Sequence, residues 1–179
     1  MSLTQIQILR EKYKPLKIKY LIIAESPPLC EDSSVRFFYN PSQEKYDFMF
    51  RAIMETIFSD FKNKYRKGDK NIYLERFKSE GFYMIDSTDD PINRLNEKDR
   101  NKKIILDSKK KIIEIKKLIS KETPIFLIKK NVFEIFSNIL KKQGYNVVNN
   151  EFIPFPGFGN QLKFKEVFKK YLTKVYNYL

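Results

Sequence analysis

From Lys17 to Pro41 the chain reads K-I-K-Y-L-I-I-A-E-S-P-P-L-C-E-D-S-S-V-R-F-F-Y-N-P, and this stretch constrains the fold more than any other. Ile18 to Ala24 is a short apolar run without polar alternation, the pattern of a central strand covered on both faces. It stops at Glu25, Ser26, Pro27 and Pro28. Two adjacent prolines neither extend a sheet ladder nor sit in mid-helix, so the chain must turn outward where the strand ends. In open α/β sheets that edge is where ligands bind. The aromatic trio Phe37, Phe38 and Tyr39, followed by Asn40 and Pro41, is expected in a loop over the strand's end.

The rest of the chain alternates the two periodicities. Thr4 to Tyr13 reads as a short helix ending before Pro15, at the edge of the sheet. Ser42 is placed to cap a helix whose apolar face is Tyr46, Met49, Phe50, Ile53, Met54 and Ile57. Ile72 to Phe77 is a short amphipathic piece, and Gly81 opens a second strand, Phe82 to Ile85, which ends in the turn-forming, acidic run Asp86 to Pro91. Asn93 to Lys103 is highly charged and expected to be exposed. Ile104 to Ile119 fits a helix with lysines on its outer side. Pro124 starts a third strand, Ile125 to Ile128. Lys129, Lys130 and Asn131 lead into a helix carrying Val132, Ile135, Phe136, Ile139 and Leu140, which Gly144 closes. Tyr145 to Val148 reads as a fourth strand, Phe152 to Asn160 as a loop, and Gln161 to Tyr178 as a final helix. Strands alternating with helices imply a single α/β domain over residues 1–179, a three-layer αβα sandwich around a four-stranded parallel sheet.

Composition narrows the chemistry. With 42% hydrophobic and 15% aromatic residues in 179, the chain has the means to bury a core. No apolar stretch approaches the roughly 18 residues of a membrane span, and no signal-like segment opens the sequence, so an intracellular protein without membrane association is expected. One cysteine, Cys30, and no histidine rule out His-based triads, cysteine-ligated clusters and most zinc sites. No cofactor or metal is expected on the main reading. Catalysis would fall to carboxylates, hydroxyls, amides and lysines. The formal net charge of +13 points to a polyanionic partner, although the excess is carried mainly by lysine in a chain also rich in Ile, Asn, Tyr and Phe, as an AT-biased genome would impose on any protein.

In order and spacing the strand-end segments resemble the uracil-DNA glycosylase superfamily, from about Lys17 to the last helix. Ala24, Glu25, Ser26, Pro27 and Pro28 stand at its first motif, of the form G-Q-D-P-Y or G-E-A-P-G. Arg36, Phe37, Phe38, Tyr39 and Asn40 look like its R-P-F-V-G, with Phe38 at the phenylalanine that stacks on the extruded base. Gly81 to Asp86 looks like the strand that ends in a uracil-reading asparagine, with Asp86 in that place. Pro154, Phe155, Pro156 and Gly157 sit where the family has its H-P-S loop. The resemblance implies DNA binding with base recognition, on single-stranded or duplex DNA, and N-glycosidic cleavage as the associated chemistry.

The departures limit that carry-over. Ser26 and Phe155 stand where the family holds its attacking water and stabilises the leaving uracil anion. A lone serine is a poor base, and phenylalanine donates no hydrogen bond to an oxyanion, a loss that typically costs about 10²- to 10³-fold. Uracil excision is therefore expected to be weak or absent. Glu25, the nearest carboxylate, reads either as a water-orienting group or as a loop-stabilising acceptor. Phe38 reads as a base platform or a core residue. Lys129 and Lys130, and Asn160 beyond the glycines Gly157 and Gly159, are candidate phosphate contacts or plain surface and turn residues. Asp86, offering only acceptors, would favour a base edge with two donors, as in guanine, over uracil; its plainer role is to cap the turn at Thr88 or Asp89. Two rival functions stay open: a hydrolase or transferase on a nucleotide or small phosphorylated ligand using Glu25, Asp86 and Asp89 with a metal, and a catalytically silent interaction module.

Overall fold

The run Tyr20–Ala24 forms β1, the middle strand of a parallel sheet ordered β2-β1-β3, with β2 at Phe82–Asp86 and β3 at Ile125–Leu127. Ile22 faces Met84 on one side and Phe126 on the other. The structure, a computed structural model, describes residues 3–29, 37–43, 47–157 and 159–176. Cys30 and Arg36, both singled out in the sequence, lie outside the described residues. Helices flank the sheet: α1 (Leu3–Lys12), α2 (Phe48–Ile57), α3 (Phe61–Lys64), α4 (Lys70–Ser79), α5 (Glu97–Leu118), α6 (Lys130–Lys142) and α7 (Gln161–Leu172). Parallel neighbours cannot be joined by tight hairpins, and here the crossovers contain helices. None of the described helices is long and apolar enough to cross a membrane.

The sheet has three strands where four are expected. Tyr145–Val148 makes only an isolated parallel bridge, Ile125 to Val147, and a second bridge joins Ile128 to Ile153. Between them the buried Asn149 substitutes for a fourth strand: its Oδ1 accepts from Leu127 N at 2.9 Å and its Nδ2 donates to Leu127 O at 3.1 Å. A side-chain amide that satisfies the ladder groups itself leaves the backbone free to turn, which is why the apolar pattern stops at Val148. The opposite edge is closed in the same manner. Tyr39 Oη accepts from Met84 N at 2.7 Å and donates to Met84 O at 3.2 Å, blunting the outer side of β2.

That bond draws the aromatic trio inward. Phe37, Phe38 and Tyr39 are all buried, and Phe38 packs edge-on against Tyr39, Phe50 and Phe77. The segment is fastened from below by Lys70, fully buried, whose ammonium is ion-paired with Asp47, donates to Phe37 O at 3.3 Å and lies over the Phe50 ring. Asp47, not Ser42, caps α2, accepting from Phe50 N at 3.2 Å.

Other boundaries also move. The charged stretch 93–103 is exposed or half-exposed as expected, and α5 begins within it, because Asn96 Oδ1 accepts from Asp99 N at 3.0 Å and starts the helix at Glu97, giving 22 residues. The piece at Ile72–Phe77 lies inside the longer α4, and α7 ends at Leu172. Gly144 closes α6 with φ 83°, as its position suggests.

Candidate functional site

Four segments meet at the carboxyl end of the sheet because their backbones are bonded to one another. Ser87 N donates to Ala24 O at 2.8 Å, and Ser87 Oγ donates to Glu25 O at 2.6 Å, locking the turn after β2 onto the turn after β1. Ile128 N donates to Ile23 O at 3.0 Å, and Lys129 N donates to Ile153 O at 2.7 Å, which brings the start of α6 and the Pro154–Gly157 loop to the same end.

Glu25 is the centre of this junction. Its Oε2 lies 2.5 Å from Lys129 Nζ, and its Oε1 accepts from Asn131 Nδ2 at 2.7 Å. Asn131 is itself oriented, its Oδ1 accepting from Val132 N at 3.0 Å in the first turn of α6. An ionised carboxylate has about four acceptor sites, so two remain for a water or a ligand donor. Both ends of the ion pair are partly accessible, at 12% for Glu25 and 29% for Lys129. Lys129 reaches Glu25 from an unusual backbone: at φ 81°, ψ 144° it is the one non-glycine residue with positive φ among the described residues. Such a conformation costs about 1–3 kcal/mol and is retained when its surroundings enforce it. Here the chain passes from β3 into α6 within two residues, leaving no room for a relaxed turn.

The other predicted residues divide. Ser26 is half-buried beside Glu25, and Pro156 is buried. Phe155 is 39% exposed on the rim of the loop. Its ring rests against Gly157, where an added Cβ would lie 2.6 Å from ring carbon Cε1, so a larger residue there would have to displace the Phe155 ring. Lys130 is exposed and only loosely paired with Glu134, at 3.8 Å, and Asn160 occupies the exposed N-cap position of α7 without making a side-chain cap bond. Asn40 does not face this end as an open group: it is buried, with Oδ1 accepting from Ser42 N at 3.1 Å. Phe38, in the core, presents no free ring face to a base.

Asp86 takes neither of the roles expected of it. Its Oδ2 lies 2.5 Å from Arg10 Nη2, with both side chains buried. Burial pushes the Asp86 carboxyl above the usual carboxylate range, and the Arg10 guanidinium opposes that shift. Nothing in the local sequence links positions 76 residues apart, so Arg10 carries no signal of this role in the sequence. Neighbouring carboxylates are likewise committed. Asp89 receives hydrogen bonds from Lys110 at 2.8 Å and from the fully buried Lys111 at 2.6 Å. Partial burial works against its ionisation, but these two lysines outweigh it and hold Asp89 at about 2. Thr88 Oγ1 donates to Asp107 at 2.5 Å, and Lys103 bridges Asp107 and Asp90. Glu25 stands apart with Lys129 and Asn131, whereas Asp86 and Asp89 share Arg10, whose Nη1 lies 3.9 Å from Asp89 Oδ1; among the described residues no three His, Cys, Asp or Glu side chains are grouped to share a metal ion.

No family model matches the sequence, and neither a curated protein nor a solved structure gives a significant match to the chain.

Proposed function

We propose that this chain binds DNA through the rim formed by Lys129 and the Pro154–Gly157 loop around Glu25, which the buried Asn131 holds in place, and that it is an αβα domain of the uracil-DNA glycosylase type with little or no activity on uracil. The observation that carries this reading is the Glu25–Lys129–Asn131 junction. A carboxylate oriented by two donors, with acceptor sites to spare, stands beside an accessible ammonium at the strand ends. Lys129, which pairs with Glu25 of the first of the motifs that suggest the family, also donates its backbone N–H to Ile153, the residue before the last of them. α2 packs with α7 and α5 with α6, and two such helix pairs would supply the outer layers of a three-layer sandwich. A net charge of +13 supplies the counterion-release affinity that binding to phosphates needs.

Weak excision follows from the same geometry. Asp86 is engaged by Arg10, Phe38 is inside the core, and Phe155 offers no donor to a leaving anion. Glu25 alone is left to orient a water. The test measures fluorescence anisotropy of labelled single-stranded and duplex oligonucleotides across a salt series, with alkaline cleavage of uracil-, hypoxanthine- and modified-guanine-containing strands run alongside. Binding that weakens steeply with salt and falls in Lys129→Gln supports the reading. Absence of binding at low salt removes it, and robust uracil release abolished in Glu25→Gln removes the statement on excision.

A further inference from the structure

Helix α5 is sided in a way that DNA binding at the strand ends does not use. Its inner side buries Ile104, Ser108, Lys111, Ile112 and Ile115. Its two acidic residues beyond the first turn and before the last, Asp107 and Glu114, turn toward the protein: Asp107 meets Thr88 and Lys103, and Glu114 meets Lys111. The outer side from 102 to 117 is left without a carboxylate. At about 100° per residue, Lys102, Ile105, Leu106, Lys109, Lys110, Ile113, Lys116 and Lys117 fall within an arc of about 140° and a length of about 22 Å. The aliphatic members are well exposed, Ile105 at 57%, Leu106 at 67% and Ile113 at 56%. Of the lysines, Lys110 is bonded to Asp89, while Lys102, Lys109, Lys116 and Lys117 make no ion pair among the described residues.

We propose that this face is a docking surface for an acidic amphipathic helix of another protein, one that presents carboxylates interleaved with aliphatic side chains. Charge and arrangement select that occupant. A second copy of this chain, at +13, would bring lysines against lysines. Phosphates would use the ammonium groups but gain nothing from three exposed aliphatic side chains. A bilayer surface favours an apolar stripe separated from its charges, whereas here Lys102 and Lys109 run down the middle of the arc between Ile105 on one side and Leu106 and Ile113 on the other. An acidic helix with apolar residues at intervals of three and four satisfies both kinds of group at once.

The experiment uses the full chain and, as probe, a fluorescently labelled 21-residue peptide of three Glu-Leu-Ala-Ala-Leu-Glu-Glu heptads. Duplex DNA and phosphatidylserine-containing vesicles are titrated in parallel at about 150 mM salt. Two variants are compared, Leu106→Gln/Ile113→Gln and Lys109→Glu/Lys116→Glu. All four positions are exposed and receive ordinary helix formers, and thermal unfolding checks that the fold is kept. The expected result is saturable binding of the peptide, weakened about tenfold or more by either pair of substitutions, with DNA binding unmoved by the aliphatic pair. The proposal is overturned by absence of peptide binding at about 1 mM, by peptide binding indifferent to the aliphatic pair, or by vesicle binding that needs it. Loss of DNA binding in the wild type would touch only the strand-end reading.

Discussion

Lys129 Nζ lies 2.5 Å from Glu25 Oε2, and Lys129 holds φ 81° while making that contact. Strain and function are therefore separable at one position. Glycine adopts positive φ without a Cβ clash, whereas alanine keeps the clash and both lose the ammonium. We expect Lys129→Gly to be more stable than Lys129→Ala by about 1–2 kcal/mol in urea unfolding. On the proposed DNA-binding reading, the two variants should lose affinity equally in anisotropy titrations. Equal stability of the pair would mean that the backbone at 129 is not strained.

The buried Arg10–Asp86 pair predicts a double-mutant cycle. Removing one partner leaves an uncompensated buried charge, so Arg10→Met should cost about 3–5 kcal/mol. Replacing both, in Arg10→Met/Asp86→Leu, should recover most of that loss. A double variant as unstable as the single one would show that the pair does not act as a unit.

Removal of the Tyr39 hydroxyl is a test of how the sheet edge is closed. Tyr39→Phe keeps the ring but leaves Met84 N and Met84 O without their side-chain partner. The expected loss is about 1–3 kcal/mol, and the amide of Met84 should exchange with deuterium faster than its neighbours in β2.

Asp89 sets a pH dependence with a defined sign. Its folded-state value is depressed to about 2, below the roughly 3.9 of an unfolded aspartate, so the stability it contributes is present above about pH 4 and is lost as pH falls through about 2. The side chain is about one-third exposed, and with solvent screening the contribution is about 1–2 kcal/mol. In Asp89→Asn the unfolding free energy between pH about 4 and about 2 should fall less steeply than in the wild type. An unchanged slope would assign the acid sensitivity to other carboxylates.

The elements that depend on their own residues were legible in order of appearance. Tyr20–Ala24, Phe82–Asp86 and Ile125–Leu127 are apolar runs with turn residues after them, and the helical periods of α2, α5 and α6 are written in spacings of three and four. Glu25 at a strand end was visible for the same reason, since Pro27 and Pro28 fix where the strand must stop. Contacts between distant positions decided the rest. Ser42 and Asp47 are equally good caps by residue type, and the buried Lys70 beside Asp47 selects between them. Val147 and Val148 read as a strand, but the Asn149 amide fills the ladder at Leu127. Phe38 and Asp86 read as ligand groups because a sequence does not show that Tyr39 anchors to β2 or that α1 brings Arg10 to the strand's end. Lys129 has an unremarkable local sequence, and its conformation exists only because β3, α6 and Ile153 converge on it. Local pattern sets where the chain extends, coils and turns; which polar groups are spent inside the fold, and which stay open to a partner, is fixed by pairings across 22 to 106 residues of chain, such as Asn149 with Leu127 and Asn131 with Glu25.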